Sequence, residues 1–170
     1  MKKHVKLSIL EKKARQLLEE RGVKIDDIAE LVYYLQSSYH QELSMDECRY
    51  NVNRVLSKRE VQNAVVTGIE LDILAEKKLL SEPLQETIAT DESLYGVDEI
   101  IALSIVNVYG SIGLTNYGYI DKQKPGILKR LNDKSSGYVH TFLDDIVGAV
   151  AAAASSRLAH SSEDYEDIVD

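Results

Sequence analysis

Apolar residues recur along this chain at intervals of three and four, the spacing of helices that bury one face. Leu7, Leu10, Ala14, Leu17 and Leu18 form the first such stripe, and Arg21-Gly22 closes it. Ile25, Ile28, Ala29, Leu31, Val32 and Leu35 form a second, ending near Ser37-Ser38. Ser44-Met45-Asp46-Glu47 has capping-box spacing and predicts a third helix reaching about Leu56. Ser57-Lys58-Arg59-Glu60 has the same spacing and predicts a longer fourth, carrying Val61, Ala64, Val65, Gly68, Ile69, Leu71, Ile73 and Leu74. A short helix is expected within residues 82–91 and the most apolar one over 97–109. Another is expected over 117–132, which Pro125 must break or kink. Residues 141–160 predict a last helix rich in small side chains. No stretch alternates with a period of two over more than a few positions, so strands are not expected.

The reading is therefore an all-α single domain of six to eight helices over residues 1–160. An acidic tail, SSEDYEDIVD, follows at 161–170 and is expected to fray. The first 40 residues admit a second reading, a semi-independent helical hairpin. The run of four alanines at 151–154 removes the steric spacer between helices, which predicts that residues 148–154 lie at the centre of the bundle.

Composition narrows the class. The 9 Gly and 2 Pro in 170 residues are too few for a many-stranded sandwich or barrel. The 20 Lys+Arg against 28 Asp+Glu leave a net charge of -8, which argues against a general nucleic-acid binder. Cys48 is the single cysteine; it excludes an internal disulfide framework and a Cys-rich zinc site, and fits a reducing, cytoplasmic compartment. The basic N-terminus MKKHVKLSIL has its apolar run broken by Lys6, so no signal peptide is expected. Residues 100–120 carry no charge. Asn107, Ser111, Thr115, Asn116 and three glycines within them favour a buried, interrupted helix over a membrane span. At most a peripheral membrane contact is expected. Asn107, placed mid-helix in that stretch, is expected to need a partner.

Three clusters set acids beside the most apolar segments: Tyr95-Gly96-Val97-Asp98-Glu99-Ile100, Tyr119-Ile120-Asp121-Lys122-Gln123-Lys124-Pro125, and His140-Thr141-Phe142-Leu143-Asp144-Asp145-Ile146. Burying a carboxylate without a partner costs several kcal/mol. Such acids must be capped, paired or bound to a cation. Several hard oxygen donors with no cysteine suit Mg²⁺ or Mn²⁺. Capping is the cheaper alternative: Thr141-x-x-Asp144 fits a capping box, and Asp98 and Glu99 in a first turn favour the helix dipole. Neighbouring residues on a helix do not share a face, so one acid of each pair is expected to face a site and the other a cap or the groups that surround the site's ligands. Asp121 and Lys124 fit an exposed i,i+3 ion pair. There is no Walker loop and no nucleophile elbow, and Cys48-Arg49 lacks a Gly-rich anion nest.

Taken together the clusters resemble the phosphatidylglycerophosphatase A family. Phe142-Leu143-Asp144-Asp145-Ile146-Val147-Gly148-Ala149-Val150 is similar to its Asp-Asp-Ile-Val signature. Val97-Asp98-Glu99-Ile100-Ile101 is similar to its Asp-Glu motif, and Ile120-Asp121 followed by Lys124-Pro125 to its Asp then Lys-Pro motif. Order and spacing agree over residues 95–158. The resemblance implies a Mg²⁺-dependent phosphatase that converts phosphatidylglycerophosphate to phosphatidylglycerol. It makes Asp98, Glu99, Asp121, Asp144 and Asp145 candidate metal ligands or water activators, and Lys124 a candidate phosphate contact. The family's N-terminal Gly-Thr-x-Gly-Ser type motif is not apparent, and Ile127 stands where a second Pro would be. These departures bear on the lipid substrate more than on the metal site. Two other readings stay open: a non-enzymatic helical module, and a metal-dependent hydrolase of a soluble phosphomonoester. Small-residue helices also suit close subunit packing, so a homodimer is a further expectation.

Overall fold

A computed structural model describes residues 8–160. It contains α1 (Ile9–Glu20), α2 (Ile25–Gln36), α3 (Met45–Leu56), α4 (Arg59–Glu76), α5 (Leu84–Ala89), α6 (Val97–Val106), α7 (Ser111–Gln123), α8 (Ile127–Leu131) and α9 (Leu143–His160). Single 3₁₀ turns lie at Asn107–Tyr109 and Lys134–Ser136, and no strand occurs among the described residues. The all-α reading holds, with seven longer helices and the short α5 and α8. The acidic tail falls outside the described residues, as do residues 1–7.

Local chemistry explains most boundaries. The Ser44 hydroxyl accepts the Glu47 N–H at 3.2 Å, and the Glu47 carboxylate accepts the Ser44 N–H at 3.0 Å. This capping box starts α3 as expected. The second box does not form. Ser57 closes α3 instead, donating its hydroxyl to the Arg54 carbonyl at 2.6 Å, and Lys58 is the extended residue ahead of α4. With the two helices nearly abutting, the end of α3 takes the serine that the start of α4 would have used. The predicted 97–109 helix stops at Val106, and α7 begins at Ser111, well before residue 117. Gly110, at φ +88°, makes the break. Asn107 consequently ends α6 on the surface and needs no buried partner. Pro125 separates α7 from α8 as its ring requires, flanked by Lys124 at φ +47° and Gly126 at φ +54°.

Helix α9 runs through the centre. Ala149, Val150 and all four alanines at 151–154 have no exposed surface. Helices α2, α3, α4, α6, α7 and α8 pack around α9, and α1 packs on α4. Leu17, Leu18, Ile28, Leu31 and Val32 belong to the same buried cluster as α9, so the separate N-terminal hairpin is not what forms. Close approach is also built into α4. A side chain at Gly68 would run into Ile146 and Phe142, which fill that space. No helix among the described residues is long and apolar enough to cross a membrane.

Candidate active site

The first turns of α6 and α9, the last turn of α7 and the segment after α8 border one cleft of about 200 Å³. Asp98, Glu99, Asp121, Lys124, Asp144 and Asp145 all line it. Asp91, Glu92, Ser93, Asn132 and Lys134 line it too, and the sequence did not single them out. They come from the turns before α6 and after α8, where no periodicity marks them.

Burial sorts the acids. Asp98, Asp144 and Asp145 are each 7–8% exposed, whereas Glu99 is on the surface and Asp121 is intermediate. Asp98 is buried and Glu99 exposed, yet both line the cleft, as do the buried Asp144 and Asp145, so neither pair sends one acid away from it. Asp121 is not in a free-standing surface pair. Lys124 Nζ donates to Asp121 Oδ1 at 2.6 Å and to Asp144 Oδ2 at 3.3 Å, tying α7 to α9. Lys124 adopts the left-handed region, which costs a non-glycine residue roughly 1–2 kcal/mol. Such strain persists where surrounding structure demands it.

The start of α9 is held by a residue that sequence reading missed. Thr141 does not cap it; its hydroxyl donates to the Ile88 carbonyl at 2.6 Å. The N–H of Phe142 lies 3.0 and 3.2 Å from the two carboxylate oxygens of Asp72, and the N–H of Leu143 is 2.9 Å from one of them. Asp72 belongs to α4 and is wholly buried. Burial pushes its carboxyl well up, although those two N–H groups and Arg21 oppose the shift. A signal was present: Asp72 continues the apolar face Val65–Ile69, three positions after Ile69.

The electrostatics of the cleft are unbalanced. Burial raises the Asp144 carboxyl, with Lys124 acting against it. Asp145 is also raised, first by burial and then by the charges of Asp144 and Asp98. Burial works against the Lys124 ammonium, yet Asp144 and Asp121 outweigh it and keep the lysine protonated above its ordinary range. The Tyr117 hydroxyl is buried with no hydrogen-bond partner among the described residues, and burial followed by Asp145, Asp121, Asp144 and Glu99 pushes it up. Tyr117 lies one turn before Asp121, and its ring passes 3.8 Å from where a Gly148 Cβ would sit.

Other candidates resolve into structural roles. Cys48 is buried in α3, and burial raises its thiol to about 11, which disfavours the thiolate. His140 Nδ1 lies 3.1 Å from the Leu131 carbonyl, and the ring stacks on Tyr138.

The donors present are carboxylates, the ligand type preferred by Mg²⁺ or Mn²⁺. As the side chains stand, no group of three or more His, Cys, Asp or Glu among the described residues is arranged to hold a metal ion. The fit is one of donor type and burial: a cation shared by Asp98, Asp144 and Asp145 would require their carboxylates to turn inward.

Fold and cleft define an all-α protein with a partly buried acidic site crossed by one lysine. The phosphatidylglycerophosphatase A sequence profile matches residues 16–160, and the chain belongs to that family. It is 68% identical over 166 residues to an uncharacterised protein of Bacillus subtilis strain 168, YutG, covering 98% of this chain and all of that one. The low temperature requirement C protein of Listeria monocytogenes superposes with a TM-score of 0.91 at 70% identity, over 93% of this chain and 99% of that one. A protein of unknown function from Bacillus stearothermophilus superposes at 0.89 with 74% identity, over 90% and 95% of the two chains.

Proposed function

We propose that this cleft is a divalent-metal-dependent phosphomonoesterase site that dephosphorylates phosphatidylglycerophosphate to phosphatidylglycerol. The observation that carries the reading is the imbalance of charge. Asp98, Asp144 and Asp145 are buried together, and Lys124 is hydrogen-bonded to only one of the three. A cation in the cleft would remove that imbalance. Asp98, Asp144 and Asp145 would hold it, with Glu99 and Asp121 at the rim. Bound there, Mg²⁺ or Mn²⁺ supplies Lewis-acid polarisation of a phosphoryl oxygen.

The chain's own groups do the rest. Lys124 is a point charge already inside the cleft, able to exchange an aspartate for a phosphate oxygen. Asp121, at the rim and outside the set that would hold the cation, is the carboxylate that takes the proton of the attacking water as the new P–O bond forms and returns it to the alkoxide as the old P–O bond breaks. Family membership supports the lipid substrate, and a cytoplasmic, peripherally membrane-associated protein accords with it.

The test is the initial rate of phosphate release from micellar phosphatidylglycerophosphate, with glycerol phosphate in parallel, in Mg²⁺ and in chelator. The proposal expects Mg²⁺-dependent release from the lipid that Asp144→Asn abolishes. Preference for the soluble ester would replace the lipid reading, and no release from either would overturn the enzymatic one.

A further inference from the structure

A second cavity, of about 280 Å³, lies where the turn between α1 and α2 meets α8 and the segment that leads into α9. It shares no lining residue with the acidic cleft. Its size falls just short of the about 300–1,000 Å³ of sites for larger organic ligands, which suits a small ion. Two arginines line it, and they differ in state. Arg21 is neutralised: its Nη2 donates to Glu76 Oε2 and to the Val139 carbonyl, both at 2.8 Å. Arg130 takes part in none of the ion pairs among the described residues. A backbone carbonyl holds it instead, with Nη2 donating to Gly22 O at 2.6 Å. A Cβ at Gly22 would sit 3.2 Å from Arg130 Nη1, so the glycine leaves the guanidinium its place. The one acid of the lining, Glu20, is exposed, and its Oε1 accepts from Gln16 Nε2 one turn back along α1.

His140 also lines the cavity, and its tautomer is fixed. Nδ1 lies 3.1 Å from the Leu131 carbonyl, an oxygen that can only accept, so Nδ1 carries the hydrogen. In the neutral ring Nε2 is then an acceptor, and it has no partner among the described residues. Tyr138 stacks on the imidazole with ring planes 7° apart and holds its orientation. The cavity therefore offers an unneutralised donor fork and an acceptor. Carboxylates and sulfate bring acceptors alone. A phosphomonoester loses its second proton near pH 6, so at pH 8 it too brings acceptors alone. Inorganic phosphate at that pH keeps one P–OH beside its charged oxygens. We propose that this cavity is a binding site for inorganic phosphate, Arg130 donating to its oxygens and its P–OH donating to His140 Nε2. A guanidinium is the side chain best shaped to grip two phosphate oxygens at once. The site stands independently of the phosphatase reading, although phosphate is also the ion that reaction would release.

Calorimetric titration of orthophosphate into the full chain tests it, at pH 8, in chelator, without substrate and at fixed ionic strength. An imidazole of ordinary pKa, about 6.5, is neutral there. Saturable binding is expected, with sulfate and glycerol phosphate at least about tenfold weaker, the scale of one lost hydrogen bond to a charged group. Arg130→Gln replaces a side chain at the surface and should abolish binding at unchanged circular dichroism. In ¹⁵N-labelled protein the His140 Nε2 resonance should move with phosphate and stay still with sulfate. Absence of phosphate binding overturns the proposal. So does sulfate binding of equal strength, binding that survives Arg130→Gln, or an Nε2 resonance that phosphate leaves unmoved.

Discussion

Replacing Asp145 with asparagine should make the metal-free protein more stable. Its carboxyl is 7% exposed, and its own side chain accepts no hydrogen bond among the described residues. Burial, then Asp144 and Asp98, push it from an ordinary 3.8 to about 9. A group whose folded value is raised contributes stability that is complete below the unfolded value and is lost as pH climbs toward the folded one. At 1.36 kcal/mol per unit, the loss between pH 4 and pH 8 has a ceiling near 5 kcal/mol. Asp144 and Asp145 titrate as a pair, and Lys124 offsets part of the repulsion, so about 1–3 kcal/mol is the expected net effect. For a chain of this size that is roughly 3–10 °C in melting temperature. Thermal unfolding in chelator should show the parent losing stability from pH 5 to pH 8. Asp145→Asn should flatten that fall and melt higher at pH 8. Added Mg²⁺ should raise the parent at pH 8 and leave the variant unchanged. A variant that melts below the parent at pH 8 without metal would refute the argument, because Asp145 would then have a compensating partner.

Three further outcomes follow from the same geometry. Lys124→Met removes the bridge between Asp121 and Asp144 and should lower phosphate release at least a hundredfold while the helical signal persists; assay and circular dichroism check both halves. Asp72→Ala leaves the Phe142 and Leu143 N–H groups buried without an acceptor, and should cost about 2 kcal/mol in urea unfolding and lower activity by loosening the start of α9. Cys48→Ser puts an unpartnered hydroxyl in the core, so it should cost about 1–2 kcal/mol yet leave kcat unchanged.

Helical periodicity was enough to place α1 to α4, and the four alanines at 151–154 marked the central helix, because both signals depend on which face is buried. Boundaries were harder. Ser57 and Thr141 both begin the right spacing for a capping box, but each hydroxyl goes elsewhere, to Arg54 and to Ile88. A local motif cannot reveal that a carbonyl 53 residues away competes for a hydroxyl. The acids of the cleft were visible as three separate clusters. Their convergence, and the Lys124 bridge from α7 to α9, depends on helix packing and not on spacing. Asp72 and Tyr117 were missed for a related reason. Each is one polar group on an apolar helix, and its meaning comes from the neighbour it faces.

The most direct test of the account is a calorimetric titration of Mg²⁺ and of Mn²⁺ into metal-free protein, with and without orthovanadate as a phosphate analogue. Saturable binding that disappears in Asp144→Asn and Asp145→Asn, at unchanged fold, is the predicted result. A parent that binds neither ion, even with the analogue present, would contradict a cation-dependent cleft and leave the buried acids as structural groups alone.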